Sequence, residues 1–308
     1  MRVLAILAAL GSAACYALAA TVQQREAERA PAQRLAAPGL LWTLAHRPWW
    51  VAAVGAMGIA ASLHLWALAH APLLVVQPIG VTGLVYAVVL AALLRSRWVS
   101  RAEILAAVTI CAGLVGLLSV LPQQPGSPAP LPGEVVLVMG GAPVVLAALA
   151  VAAARRVPGT SQVGRTSRTV VLACAAAVAL GTSSALARSL LPRLSRVGPA
   201  AVISWPTLIV VALALLGFWL AQCAYQAGNL GAAFAVITVV DPVTAGSWGV
   251  RLLHEPLPTS TLGVATLTAS ATLILTGIGV LATSRAARAA PGPTEPTLAA
   301  ARRPAGTP

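Results

Sequence analysis

The sequence contains no lysine, only seven acidic residues, two phenylalanines and four cysteines among 308 positions. Charged residues make up 9% of the chain and hydrophobic residues 58%, with a mean hydropathy of +0.87. A soluble domain carries roughly 25% charged residues. That scarcity excludes one and leaves a polytopic membrane protein. The seven carboxylates also argue against an enzyme acting through a concentrated acid/base or metal cluster, since five of them, Glu26, Glu28, Glu103, Glu255 and Glu295, fall at span ends or outside, and Glu134 opens a span. No CxxC motif or Cys/His pair at metal-ligand spacing occurs. Cys15, Cys111, Cys174 and Cys223 stand singly in apolar runs and read as buried small residues. No P-loop occurs either, so the chain itself consumes no ATP, and no cofactor is expected. High Ala and Gly with arginine as the only strong base suggest a GC-rich bacterial genome, and hence a bacterial inner (cell) membrane.

The twenty arginines give a net charge of +13. They lie in short clusters between apolar runs rather than on one basic domain, so they signal topology and no nucleic-acid partner is expected. Apolar runs of about twenty residues, enough to cross a ~30 Å hydrocarbon core, occur at 3–22, 49–70, 73–94, 102–121, 133–154, 169–190, 204–227, 231–252 and 260–282. Nine helices are expected, because backbone groups in lipid must be satisfied within the segment and no alternating barrel pattern is present.

Arg25, Arg29, Arg34, Arg47, Arg95, Arg97, Arg101, Arg155, Arg156, Arg165 and Arg168, with the tail arginines 285, 288, 302 and 303, then share one side. Arg2, Arg188, Arg193, Arg196 and Arg251 take the other. Positive charge marks the cytoplasm, which puts the amino terminus outside and the carboxyl terminus inside, with Arg188, Arg193 and Arg196 against the rule. The first twenty residues imitate a secretory signal, but the apolar run continues to Val22 and an arginine cluster follows, which fits a retained first span. Residues 122–132 form a Pro-rich connector, and the segment after Arg288 cannot bury a core. The connection 23–48 has room for an amphipathic interfacial helix around 25–35 or for an ordinary solvated one.

The two halves echo one another. ALAHAPLLVVQPIGVTGLVYAVVLAALLRSR (67–97) joins two spans through almost no loop, and AYQAGNLGAAFAVITVVDPVTAGSWGVRLLHE (224–255) does the same. Each is followed by a Gly-containing helix. Helices one to four would match six to nine, with the fifth as a link: 1–121 is the first repeat, 122–168 the connector and linking helix, 169–284 the second repeat and 285–308 a cytoplasmic tail. Equivalent elements five spans apart enter the membrane in opposite directions, the arrangement of inverted-repeat transporters with a midplane site at the repeat interface.

These features resemble the drug/metabolite transporter (DMT) superfamily with its EamA-type repeats. The spacing Ala71-Pro72, five residues, Pro78-Ile79-Gly80, together with nine spans and an external amino terminus, is most similar to its NIPA-type magnesium transporter branch. The resemblance covers nearly the whole chain before the tail. It implies a carrier with both repeats lining a central cavity, and substrates in the superfamily range over amino acids, metabolites, drugs and lipid-linked sugars.

Asp241 is the leading candidate for substrate or ion binding. It lies about ten residues, or ~15 Å, from either end of its span, where an unpaired carboxylate costs several kcal/mol and is retained for a partner or a task. Pro242 beside it has no amide hydrogen for the Thr238 carbonyl. Thr238, Thr244 and Trp248 share the Asp241 stripe. A second stripe on the preceding helix carries Trp219, Gln222, Gln226 and Asn229, with Tyr225 adjacent; its side chains either contact substrate or join helices. In the first half, His64 could exchange a proton, and Gln77-Pro78 repeats the polar-plus-proline device. His64 and His70, six apart, share no face, so a two-histidine metal pair is not expected. Thr182, Ser183 and Ser184, with Arg188 near the outer end, either close a gate or, in the more ordinary reading, satisfy their own helix backbone, and Glu255 reads as the solvated end of a helix. Trp42, Trp49, Trp50 and Trp98 read as interfacial anchors, and Thr268, Thr272 and Thr276 with Gly277 and Gly279 as close helix packing.

The expectation is a secondary transporter, not an enzyme, moving a small molecule or cation by alternating access. The alternatives are a NIPA-type carrier of Mg²⁺ or another divalent cation, which would make Asp241 the metal ligand, and a membrane enzyme acting on lipid-linked substrates. Lipid is the expected surround, and self-association as a homodimer remains open.

Overall fold

The computed structural model describes residues 2–29, 39–94, 99–120, 131–197, 204–227 and 230–289. Every regular element among them is a helix: α1 (Arg2–Glu28), α2 (Gly39–Ala45), α3 (Pro48–His70), α4 (Leu73–Gly80), α5 (Thr82–Leu94), α6 (Arg101–Val120), α7 (Gly133–Arg156), α8 (Gln162–Val197), α9 (Trp205–Gln226), α10 (Leu230–Leu252) and α11 (Thr261–Ala289). Eight of these are long and apolar enough to cross a membrane, and the protein is an all-α polytopic membrane protein.

The third apolar run is not one helix. Residues 73–94 divide into α4 and α5 at Val81. Pro78 has no N–H to give the carbonyl of Leu74 and its ring crowds it. One turn on, the Val81 N–H closes instead on the Pro78 carbonyl at 3.0 Å, a tight three-residue turn that ends α4.

Two boundaries also move. The helix expected around 25–35 is in part α1 itself, which runs on to Glu28, while 30–38 lie outside the described residues. Helix α8 is far longer than 169–190, starting at Gln162 where the Ser161 hydroxyl accepts the Gly164 N–H at 3.0 Å. Ser100 and Glu103 form a capping box at the start of α6: Glu103 accepts the Ser100 N–H at 2.8 Å, and the Ser100 hydroxyl accepts the Glu103 N–H at 3.2 Å. Glu103 is therefore at a span end but fully buried.

Helix α1 packs on α3, α4 and α5; α8 packs on α9, α10 and α7; α6 pairs with α11 and α4 with α10. Alanines dominate the buried faces, among them Ala5, Ala9, Ala67, Ala173, Ala176, Ala224 and Ala245. In lipid, helices gain little from burying apolar surface against each other, so small residues that admit close backbone contact do the work. The α6–α11 crossing is reciprocal. A Cβ on Gly113 would stand 2.7 Å from the Ser270 carbonyl oxygen and 2.9 Å from Ile274, and one on Gly277 would stand 2.9 Å from the Ala106 carbonyl oxygen and 2.6 Å from Ile110. Gly279, by contrast, has open space, and Thr268 and Thr272 are exposed and bond their own helix, so of that expected packing motif only Gly277 is used.

Hydroxyls pin two other crossings. Ser12 of α1 donates to the Ala60 carbonyl of α3 at 2.8 Å, and Ser183 of α8 donates to the Val210 carbonyl of α9 at 3.0 Å.

Candidate functional site

Asp241, the only aspartate in the chain, is the twelfth residue of the 23-residue α10. Its side chain is half-buried, and the Oδ1 atom is fully buried with no hydrogen-bond partner. Tyr16 of α1 lies within electrostatic reach of it. On the other side is α8, where Gly181 is so close that a Cβ would come 2.6 Å from the Asp241 carbonyl oxygen and 3.0 Å from Thr244. One turn beyond Thr244 on α10, the Trp248 indole donates to the Thr182 hydroxyl at 3.1 Å.

Thr244 and Trp248 thus face α8, where they meet Gly181 and Thr182, while Asp241 meets Gly181 through its backbone carbonyl. Thr238 turns its hydroxyl back on the Phe234 carbonyl at 2.7 Å. Thr182 accepts from α10 and Ser183 donates to α9, so both hydroxyls join helices, which corrects the expectation for these two. Pro242 lies inside α10 without ending it, so the break that Pro78 accompanies in α4 has no counterpart there.

Gln77 reaches the same level. Helix α4 runs antiparallel to α10, with the Leu73 and Leu74 side chains each 3.4 Å from a Cβ placed on Gly249 and Gly246 respectively. One turn along, Gln77 comes level with Pro242 and Asp241. It is 4% exposed and its Nε2 has no partner. Buried polar atoms without partners are uncommon and each costs free energy, and two of them, on Gln77 and Asp241, stand at this level of the bundle.

The second polar stripe is elsewhere. Ser183 meets Val210 and Gly217 meets the Ala176 carbonyl, so Gly181 and Asp241 stand level with about residue 212 of α9. Gln222 lies ten residues, or ~15 Å, further along. It is fully buried, donating to Gln23 Oε1 at 2.8 Å and lying 3.5 Å from the Trp50 indole N–H. Gln222 therefore joins α9 to α1 and α3, and cannot share a ligand with Asp241. Trp50, 7% exposed, belongs to this junction and is no interfacial anchor, whereas Trp42 and Trp49 are exposed. Tyr225 packs in the neighbouring core; Gln226 is half-buried with neither amide atom bonded; Asn229 and Trp98 lie outside the described residues.

His64 sits half-buried on α3 beside Leu63, whose side chain is 3.6 Å from a Cβ placed on Gly11. That is five residues, or ~8 Å, from the level of Tyr16. His70 stacks on Trp66 with ring centroids 4.2 Å apart and its Nδ1 2.8 Å from the Trp66 carbonyl, an end-of-helix arrangement. A cavity of about 180 Å³ lies away from Asp241, at the α7–α9 junction, lined by Val136, Ser189, Trp205 and their neighbours.

Glu255 is the largest departure from expectation. It is 9% exposed, not solvated, and its two oxygens accept the N–H groups of Leu73 and Leu74 at 2.7 and 2.9 Å. Arg188, 4% exposed, lies within electrostatic reach of the same carboxylate.

Tyr16 and Gly181 were not among the expected site residues. A signal exists for Gly181: Ala9-Leu10-Gly11-Ser12 in α1 is echoed by Ala179-Leu180-Gly181-Thr182 in α8.

The fold and site thus define a multi-pass helical membrane protein with a buried polar level in its bundle. Among curated proteins it is similar to an uncharacterized protein of Corynebacterium glutamicum, 28% identical over 257 residues, covering 82% of this chain and 86% of that one. No protein-family profile and no solved structure matches the chain.

Proposed function

We propose that this protein is a secondary transporter of the DMT superfamily type, with EamA-like inverted repeats, moving a small solute or cation by alternating access around Asp241. The observation that carries the reading is the buried Oδ1 of Asp241, without a partner in the middle of α10. An intramembrane carboxylate held this way is a functional site by default.

Helix pairing supports the repeat. Exchanging α1, α3, α4–α5 and α6 with α8, α9, α10 and α11 turns the α1–α3 pair into α8–α9, the α1–α5 pair into α8–α10, and returns α6–α11 and α4–α10 to themselves. The α6–α11 crossing obeys the same exchange residue by residue: Ala106, Ile110 and Gly113 correspond to Ser270, Ile274 and Gly277 at a constant offset, with the helices antiparallel. Such self-matching is what an axis in the membrane plane produces. Counting α4–α5 as one broken span gives nine crossings, and that odd number together with the arginine distribution supports the reading of an external amino terminus in a bacterial inner membrane.

Asp241 favours a cationic substrate or coupling ion. Among the described residues no three His, Cys, Asp or Glu side chains gather. A divalent ion of the kind NIPA-type proteins carry would therefore meet one carboxylate and keep most of its water. An organic cation would pair with Asp241 beside Tyr16 and Trp248.

The test is uptake into proteoliposomes by the wild type and Asp241→Asn, with Mg²⁺, other divalent ions, organic cations and neutral amino acids as solutes and internal pH recorded. Loss of uptake in the variant supports the site. Equal uptake through both proteins refutes it.

A further inference from the structure

We infer that Glu255 is the latch of a gate at the outer end of the bundle, tying α10 to α4 and thereby closing the path to Asp241 from that side. The inference rests on the transport reading above, since a gate needs a site to guard.

The geometry is specific. Helix α10 ends at Leu252, and His254 takes φ 51°, the left-handed region that a residue with a side chain seldom adopts. It is the only non-glycine residue with positive φ among those described. The turn closes with the Leu253 N–H on Trp248 at 3.3 Å and the Glu255 N–H on Gly249 at 3.0 Å, so the chain folds back over the helix end. Gly249 makes room for this: a Cβ there would stand 3.1 Å from Glu255 Oε2. The carboxylate then accepts the first two N–H groups of α4, where the helix dipole is positive, and faces the buried Arg188 of α8.

A carboxylate on a helix N-terminus is by itself an ordinary cap. Here the cap comes from 182 residues away, across the two halves of the chain. It sits at the top of the α4–α10 seam, with Gly246 and then Asp241 below it. Strained backbone maintained at such a point indicates a conformation held for a purpose. Helix α4 is only eight residues long and ends at Gly80, so releasing its first turn would leave it joined to α5 by the turn at Val81 alone.

The experiment uses the full chain in proteoliposomes, with Gly246→Cys as a reporter in the seam. A Cβ at this position makes ordinary contact with Leu74 at 3.4 Å. Labelling by a membrane-impermeant thiol reagent from the outer face is compared in this background with and without Glu255→Ala. Glu255→Gln, which keeps acceptor oxygen without charge, is measured alongside in case the alanine variant does not fold. A protein retaining Gly246 corrects for the native cysteines, and Val136→Cys on α7 is a control at the same end.

The latch predicts at least tenfold faster labelling of position 246 with Glu255→Ala and a several-fold rise with Glu255→Gln, with position 136 unchanged. Unchanged labelling at 246 in both variants overturns it. Equal acceleration at 136 also overturns it, because the whole end would then have loosened. Failure of the transport reading looks different: no solute would move through the wild type, while position 246 would still respond to Glu255.

Discussion

Gly181 of α8 lies against the backbone carbonyl of Asp241 in α10, leaving 2.6 Å for a Cβ that is not there. A side chain at position 181 would have to push α8 and α10 apart at the level of Asp241. The contact also explains why Thr244, one turn on, stands 3.0 Å from the same point.

Substituting Gly181 tests how closely that crossing must be kept. Overpacking costs about 1–3 kcal/mol, against about 1 kcal/mol gained when Gly becomes Ala in a helix. Gly181→Ala should therefore lower the thermal midpoint slightly, and Gly181→Leu clearly, in detergent unfolding. Uptake should fall with both, more steeply for Leu. A leucine variant with wild-type stability and uptake would show that α8 and α10 are not held together here.

The reciprocal glycines of α6 and α11 make a second prediction. Because Gly113 and Gly277 meet matching carbonyls across one crossing, Gly113→Val and Gly277→Val should destabilise by similar amounts, about 1–3 kcal/mol each. The double variant should lose less than the sum, since the first displacement already opens space for the second. Unfolding in a graded denaturing-detergent series measures all three. Strongly unequal single variants would count against the symmetric crossing.

Much of this architecture was legible in the apolar runs and little of the side-chain wiring was. Length and hydropathy located the spans because lipid demands ~20 apolar residues of any crossing helix. They could not show that 73–94 breaks at Val81, since apolar composition is the same on both sides of the turn. Asp241 stood out because charge in an apolar run is costly wherever the helix points. Gln222 was left undecided and Glu255 misplaced for the converse reason. A polar side chain's role depends on which helix faces it, and Gln23 and Leu73 lie 199 and 182 residues away in sequence.

The Gln23–Gln222 bond joins α1 to α9 far from Asp241 and should act on stability alone. Interhelical hydrogen bonds of this type contribute about 0.6–2 kcal/mol. Gln23→Leu and Gln222→Leu should each lower the unfolding midpoint, and the double variant should show a coupling energy in that range. Transport at permissive temperature should remain near wild type in the double variant. Loss of uptake without loss of stability would instead move Gln222 into the transport pathway.

Trp248 and Thr182 offer the opposite case, a bond about two turns along α10 from Asp241. The indole donates to a hydroxyl at 3.1 Å, half-buried, between α10 and α8. Trp248→Phe keeps the aromatic volume and removes the donor. The freed Thr182 hydroxyl can still bond a carbonyl one turn back in its own helix, so the stability cost should be at most the net worth of one hydrogen bond, about 0.5–1.5 kcal/mol. If the α8–α10 face stays together throughout transport, uptake will follow that small loss and the single and double variants with Thr182→Val will behave alike. If the two helices part during the cycle, the bond must break each time. Trp248→Phe would then raise the uptake rate while lowering the unfolding midpoint, a divergence of rate from stability that a bond kept intact cannot produce.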